Sequence, residues 1–311
     1  MYDTHNLWES MESANNINLF ADIPYYIENA TQHNDKRGQP YINGNLQNYI
    51  VNIYQYGISL KGSIAKYYYG DNFQILTRGD YQKAIEKLND TLHLNFYNAK
   101  VNRFDIGVNL QMKYDCNAYY SLLGDLHHYK RLEQPTSVNY VNSLRQLILY
   151  NKIAEAKAKR FEIPEVYKNE NVLRVEFRYL RQLPTQLKQP EITPKTLCNE
   201  QFYIQIVDKW INEYQKINKQ NSVQIDFNVM KNAKDLDDLL RLWGLQYCGG
   251  ELEFLKLIEQ AKQQGVFKYY NEEKRYKEKI KKIGKTPKFT GQSDLIKELN
   301  EKIERIKTIY I

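Results

Sequence analysis

The sequence is poor in the residues that would place it in several large classes of protein. It has three cysteines, Cys116, Cys198 and Cys248, with no CxxC and no Cys/His spacing. That excludes a thiolate metal cluster and a disulfide scaffold, and it fits a reducing compartment. No apolar run approaches the ~18 residues of a membrane-spanning helix. No Lys or Arg precedes Lys36, and Asp3, Glu9 and Glu12 make the opening stretch acidic, the wrong charge for a secretory signal. A soluble, cytoplasmic protein with no membrane partner is the expectation. Histidine is scarce too: among five, none forms a His-apolar-His pair, the nearest approach being His127-His128-Tyr129-Lys130. There is no internal repeat and no low-complexity segment.

What is abundant is tyrosine, 27 against 11 Phe and 3 Trp. Phenol rings stack on bases and reach phosphates, which suits a nucleic-acid partner, although a Tyr-, Asn- and Lys-rich composition also fits an AT-rich genome. The formal charge of +7, from 44 Lys and Arg against 37 Asp and Glu, permits an anionic partner and equally serves solubility. With 42% hydrophobic residues in 311, the chain has enough core for one large domain or two modest ones.

The pattern along the chain predicts an α+β fold. Residues 1–45 read as an irregular, polar extension, with Gly38, Pro40 and Gly44 marking turns. Asn48–Ile64 reads as one or two strands turning near Tyr56-Gly57, and Tyr67-Tyr68-Tyr69 as a strand end. Thr77 with Asp80 resembles a capping box, and Tyr81, Ala84, Ile85 and Leu88 follow at helical spacing to about Leu92. Val101, Phe104, Ile106 and Val108 mark a strand whose other face carries Asp105. Residues 117–133, with Tyr119, Leu122, Leu123 and Leu126, are partly helical. Leu144–Tyr150 is a short apolar run, Asn151–Lys159 is helical in composition, and Val172–Leu180 is a strand. Helix followed by strand, with strands before it, implies an antiparallel sheet.

Pro184, Pro190 and Pro194 mark a boundary. Beyond it the pattern is mainly helical: Phe202, Ile206, Trp210 and Tyr214; then Leu236, Leu239, Leu240 and Trp243; then Leu252–Gln263; and a terminal helix with Leu295, Ile296, Leu299, Ile303 and Ile306. Between the last two, Lys268–Lys288 holds nine basic residues against three acidic ones. The organisation expected is an extension over 1–44, a sheet domain over 45–190 and a helical, basic region over 195–311.

Three short stretches set charged groups beside apolar ones: Arg103-Phe104-Asp105, Tyr150-Asn151-Lys152 with Glu155, and Arg174-Val175-Glu176. Spacing of i,i+2 keeps each Arg and its acid on one strand face. If the strands are neighbours, Asp105 and Glu176 converge, and with Glu155 they make an oxygen-donor set for Mg²⁺ or Mn²⁺. The same pattern also describes a solvated face of ordinary ion pairs.

Taken in order, these stretches resemble the core of the rolling-circle replication initiators, the Rep proteins of filamentous phages (the gene II family) and of small plasmids. The resembling strings are Arg103-Phe104-Asp105, then Leu149-Tyr150-Asn151-Lys152-Ile153-Ala154-Glu155, then Leu173-Arg174-Val175-Glu176-Phe177-Arg178. Upstream, Gly62-Ser63-Ile64-Ala65-Lys66-Tyr67, Leu76-Thr77-Arg78 and Ala84-Ile85 with Leu88 are similar as well, so the resemblance spans roughly residues 45–180. It implies an HUH-like nicking domain, an endonuclease and strand transferase acting at a replication origin. Tyr150 would be the nucleophile, giving a covalent 5′-phosphotyrosyl link and a free 3′-OH. Lys152 would supply positive charge beside it, and Asp105, Glu155 and Glu176 would hold Mg²⁺ or Mn²⁺. Members of the gene II type manage without the histidine pair of other nickases, so the absence of such a pair fits this branch and leaves open any role of His127 or His128 in the full ligand set.

Arg103 and Arg174, with Lys274, Arg275, Lys277, Lys281, Lys282 and Lys285 of the basic segment, are the expected DNA contacts. The partners implied are single- and double-stranded origin DNA and, by role, a host helicase and polymerase in a bacterial cell, with the chain a monomer or a dimer. A DNA-binding protein that does not nick and a phage structural protein are the alternatives, the second disfavoured by the ordered charged motifs.

Overall fold

The computed structural model describes residues 1–10, 18–223, 228, 230–286 and 289–310. Glu12, Lys288 and Ile311, which figure in the sequence reading, lie outside them. The chain opens with strand β1 (Tyr2–Ser10) and a short helix α1 (Leu19–Asp22), then β2 (Glu28–Asn34), β3 (Pro40–Leu46), β4 (Tyr49–Tyr54) and β5 (Gly57–Ser63). Helices α2 (Ile64–Tyr69) and α3 (Arg78–Leu92) precede the long β6 (Lys100–Met112). After α4 (Cys116–Tyr120) come β7 (Lys130–Gln134), β8 (Ser137–Val141) and β9 (Arg145–Asn151), then α5 (Lys152–Ala158) and β10 (Asn171–Tyr179). The remainder comprises α6 (Leu183–Leu187), α7 (Pro194–Cys198), α8 (Glu200–Gln215), β11 (Asn221–Val223), α9 (Ala233–Tyr247), α10 (Gly250–Gln263), α11 (Glu272–Gly284), β12 (Thr290–Gln292) and α12 (Asp294–Tyr310).

Ten strands form one antiparallel sheet in the order β2-β3-β4-β5-β1-β6-β10-β9-β8-β7. The α+β expectation therefore holds. One correction concerns residues 1–45, which are not an irregular extension: β1 lies between β5 and β6, pairing Leu7 with Leu60 on one side and Val101 on the other. Its alternation was visible only as Leu7 against polar neighbours, too short a signal beside the acidic composition. Tyr67-Tyr68-Tyr69 is a second correction. It is helical, because the Ser63 side chain caps the turn by accepting from the Lys66 backbone N–H, and Ile64, Ala65 and Tyr67 are buried.

The sheet has two unlike faces. One buries Val51, Ile53, Ile58, Leu60, Phe104, Ile106, Val108, Val175 and Phe177 in the main core. Helix α3 covers part of it with Tyr81, Ala84, Ile85 and Leu88, starting at Thr77, whose hydroxyl accepts from the Asp80 N–H as the spacing predicts. The other face carries mostly polar side chains, with a small apolar cluster of Phe73, Ile153, Ala156 and Val172 at one end.

The proline-rich stretch marks a change from sheet to helix, not the end of the core. Phe202, Ile206, Trp210 and Tyr214 of α8 and Ile296, Leu299, Ile303 and Ile306 of α12 join the same core as the sheet. Polar contacts fix α12 in place: the Glu298 carboxylate accepts from the Tyr119 hydroxyl at 2.5 Å and the Lys113 N–H at 3.0 Å, and Tyr214 donates to Asn300 at 2.7 Å. Helices α9–α11 stand apart, with their own cluster of Leu239, Leu242 and Phe289. Among the described residues no helix is long and apolar enough to cross a membrane.

Because α12 closes the sheet's core, Leu299→Ala is expected to lower the stability of the whole sheet by about 2–5 kcal/mol. Urea unfolding followed by far-UV circular dichroism reads this; an unchanged midpoint would show that α12 is not part of the cooperative unit.

Candidate active site

Register brings the charged motifs together. Asp105, Gly107 and Asn109 of β6 stand opposite Arg178, Glu176 and Arg174 of β10, and Arg174 stands opposite Tyr150 of β9. Directly opposed residues share a face, so all of these project from the polar side of the sheet. Gly107 makes the arrangement possible: a Cβ there would come within 3.0 Å of the Val175 carbonyl oxygen and 3.3 Å of the Glu176 Cβ.

On that face runs a ladder of alternating charges. Arg103 donates to both oxygens of Asp105, at 2.9 and 2.6 Å. Arg178 lies 3.8 Å from Asp105 and donates to Glu176 Oε1 at 2.6 Å. Arg174 donates to Glu176 Oε2 at 3.0 Å through Nε and to Asp3 through Nη2. The other oxygen of Asp3 accepts from the Ser63 hydroxyl at 2.7 Å. Asp3 reaches this face because β1 is irregular between Tyr2 and His5; both of those side chains are buried on the core side, and the extra residue turns Asp3 the other way.

The Tyr150 hydroxyl donates to Glu176 Oε2 at 3.3 Å, and the residue keeps 9% of its surface exposed. Burial pushes its phenol well above the usual range; Arg174 pulls it down, and Glu176, Glu155 and Asp3 push it up. Burial alone would raise Glu176 as well, but Arg174 and Arg178 override it and hold the carboxyl at about 2. Asp105 moves the other way: burial raises it, Arg103 opposes, and the Glu176 charge adds to the rise.

Lys152 and Glu155 form a neighbouring group. Asn151 caps α5 by accepting from the Ala154 N–H at 2.9 Å, which sets Lys152 and Glu155 one turn apart. The buried Lys152 donates to Glu155 at 2.7 Å and to Asn72 Oδ1 at 2.8 Å, and Lys159 donates to the other Glu155 oxygen at 2.6 Å. Burial and the Arg174 charge lower the Lys152 ammonium pKa. Asn72 joins the two groups, since its backbone carbonyl accepts from Arg174 at 3.3 Å. The adjoining loop forms a wall of a cleft of about 750 Å³, where Lys66 sits 3.7 Å above the Phe161 ring.

Sequence reasoning missed Asp3, Asn72 and Arg178 as members of this site. Arg178 repeats the i,i+2 spacing from Glu176 and was detectable; Asp3 and Asn72 come from remote segments with no local signal. His127 and His128 lie in an exposed turn between α4 and β7, not in the helix expected, and Leu126–Tyr129 closes that turn with a backbone hydrogen bond of 3.1 Å. Of the basic segment, Lys277 is paired to Glu259 and Glu273 and Lys281 lies 3.9 Å from Asp125, while Lys274, Arg275 and Lys282 are exposed along α11 and Lys285 is exposed at its C-cap.

The expected Mg²⁺ or Mn²⁺ donors do not fit an ion as they stand. Every carboxylate oxygen of Asp105, Glu155 and Glu176 already accepts from an Arg, a Lys or Tyr150. Among the described residues no three His, Cys, Asp or Glu side chains are grouped to hold a metal. An ion at Asp105 and Glu176 must displace a guanidinium, so Arg178→Ala is expected to tighten Mn²⁺ binding several-fold in calorimetric titration. Unchanged affinity would place any bound ion elsewhere.

Removing one partner from a buried ion network strands the others. Glu176→Gln is therefore expected to cost about 3–5 kcal/mol at neutral pH. Because the folded carboxyl titrates near 2 and its ordinary value is 4.5, this stabilisation is complete above 4.5 and is lost as pH falls towards 2. In paired urea titrations the gap between the two proteins should narrow across that window; a gap independent of pH would mean that the charge of Glu176 contributes nothing.

A family model described as the N-terminal part of the phage replication-associated protein of the gene II type matches residues 43–213. No curated protein matches the chain. The matched span runs from within β3 to the last turn of α8 and so contains Asp105, Tyr150, Glu155, Arg174 and Glu176, while β1 with Asp3 lies outside it. The chain belongs to this gene II family of replication-associated proteins.

Proposed function

We propose that this protein is a replication-initiation endonuclease that nicks one strand at its origin with Tyr150 as nucleophile. The observation that carries this reading is the Tyr150 hydroxyl held 3.3 Å from Glu176 inside a cluster of three arginines. Phosphodiester cleavage needs an attacking oxyanion and charge stabilisation on the phosphoryl group. The Tyr150 oxygen would attack the scissile phosphorus, its proton passing to Glu176 as the P–O bond forms. The 3′-oxygen would leave, taking a proton from water. The products are a 5′-phosphotyrosyl link and a free 3′-OH, and the covalent link keeps the bond energy for rejoining. Arg174 opposes the rise in the phenol's pKa, and the partly exposed Arg103 and Arg178 would meet the phosphate. Lys152 would act on the same charge balance through Asn72 and Glu155.

In this reading the HUH-like nicking domain takes in residues 45–190 together with β1. The exposed cations of α11 would bind duplex origin DNA in the cytoplasm of a bacterial host, where helicase and polymerase extend the 3′ end. Mg²⁺ or Mn²⁺ would belong to the site after a guanidinium has moved.

The near-burial of Tyr150 and the arginine-engaged carboxylates favour a second reading, an origin-binding protein that does not nick. Incubation with labelled single-stranded origin DNA and Mn²⁺, followed by denaturing electrophoresis, separates the two. The nickase reading expects a covalent adduct that Tyr150→Phe abolishes. An adduct that survives in Tyr150→Phe rejects the nucleophile, and binding without any adduct supports the second reading.

A further inference from the structure

The polar face of the sheet carries a second feature, away from the charge ladder. Five aromatic rings from β2, β3, β1, β4 and the β4–β5 turn lie in one row. His33 and Tyr41 have ring centroids 5.5 Å apart, Tyr41 and Tyr54 5.5 Å with planes 23° apart, Tyr54 and Tyr56 5.5 Å, and Tyr56 and Trp8 5.6 Å. These side chains are exposed or half-buried, and Tyr56 is 59% exposed. Register accounts for the row: His33 opposes Tyr41, Tyr41 opposes Tyr54, and Tyr54 opposes Gly57.

Gly57 is the key to it. A Cβ at that position would lie 2.5 Å from the Trp8 ring, so only glycine lets the indole cross β5 to reach Tyr54. A core has no use for such a row, because Val51, Ile53, Ile58 and Leu60 already fill the opposite face.

The surroundings select the occupant. Lys61 and Lys100 are exposed on this face, Lys100 directly opposite Trp8, and Asn6, Asn43, Asn52 and Ser59 supply hydrogen-bonding groups between them. Strands β3, β4 and β5 contribute no Asp or Glu to it. Aromatic rings to stack on, cations beside them and amides between them form a surface for unpaired bases and their phosphates. The row also leads to the candidate active site. Asn6, two residues from Trp8, opposes Arg103 at the end of the charge ladder, and β1 is three strand spacings, roughly 15 Å, from Tyr150 on β9.

We propose that the row His33–Tyr41–Tyr54–Tyr56–Trp8 is a stacking platform for single-stranded DNA. It would hold the unpaired strand beside the nicking site, and to that extent it rests on the nickase reading. The platform recognises bases by their π-faces and so is tolerant of sequence; selection of the origin falls to other residues.

The test uses the full chain and fluorescence anisotropy with three labelled probes: an oligothymidylate of about 16 nucleotides, an abasic oligonucleotide of the same length, and a duplex. Tyr41→Ala with Tyr54→Ala is expected to weaken oligothymidylate binding by about tenfold or more, at one lost base stack or better. Affinity for the abasic strand and the duplex should stay unchanged. Tyr41→Phe with Tyr54→Phe keeps the rings and should retain binding, while an unchanged urea midpoint excludes unfolding as the cause. Undiminished oligothymidylate binding by the alanine pair overturns the platform, as does an equal loss on all three probes. Adduct formation by Tyr150 is scored separately. If the wild type forms the adduct and the alanine pair still binds oligothymidylate normally, the platform alone falls. If the pair loses binding but no adduct ever forms, the nickase reading falls and the platform stands.

Discussion

The charged face of this protein depends on one buried guanidinium. Arg174 is 3% exposed and sits on a central strand, where an unpaired charge would cost several kcal/mol. It is tolerated because Glu176 lies two residues away on its own strand and Asp3 reaches it from β1. Burial opposes its charge, and the surrounding Asp3, Tyr150 and Glu176 hold the proton on. Each neighbour is then fixed in turn: Glu176 by Arg178, Arg178 near Asp105, Asp105 by Arg103. The ladder is cooperative at its buried centre, where Arg174 and Glu176 each need a second partner, Asp3 and Arg178.

This constraint also accounts for the placement of β1. An isolated strand carrying Asp3, Asn6 and Trp8 on one side and Leu7 on the other has little to specify a position in a ten-stranded sheet. The irregularity between Tyr2 and His5 sends two large side chains into the core and Asp3 to Arg174. Hydrophobic burial on one side and ion pairing on the other then agree on a single register. A slip of one residue would turn Asp3 into the apolar core, away from Arg174, and Tyr2 to the polar face, so the alternative is strongly disfavoured.

Legibility in the sequence followed the range of the interactions. Strands β6 and β10 and helices α3 and α8 were readable because each carries its own period, α3 with its cap as well, while α5 was readable from composition alone. Arg103 with Asp105 and Arg174 with Glu176 were readable as pairs because i,i+2 spacing fixes face, and Tyr150 was singled out only by the family resemblance. Asp3 and Asn72 were not, since each acts through a partner on a distant segment and neither has a neighbour that marks it. The metal expectation shows the opposite difficulty. Carboxylates can be counted in a sequence, but whether their oxygens face a cation from solvent or a guanidinium from the next strand is decided by packing. His127 and His128 were set aside as a ligand pair because adjacent side chains diverge on a helix or a strand, but the exposed turn that holds them was not foreseen, and it brings the two rings to 3.7 Å.

The two faces of the sheet then divide the work. A face that buried only apolar groups on both sides would make a stiffer protein with nothing to offer an anion. Here one side supplies nearly all the apolar burial, with α3, α8 and α12 closing over it, which frees the other to keep arginines, amides and aromatic rings at partial exposure. The freedom is limited, since Asp105, Arg174 and Glu176 must remain paired to stay buried, and a phosphate approaching Arg103 or Arg178 competes with a carboxylate already in place. In the nickase reading, an anion that draws Arg178 away from Glu176 would leave that carboxylate, beside Tyr150, a better proton acceptor. On that reading arginine would link anion binding to the basicity of Glu176, and the charge ladder that stabilises the sheet would also couple substrate arrival to activation of the phenol.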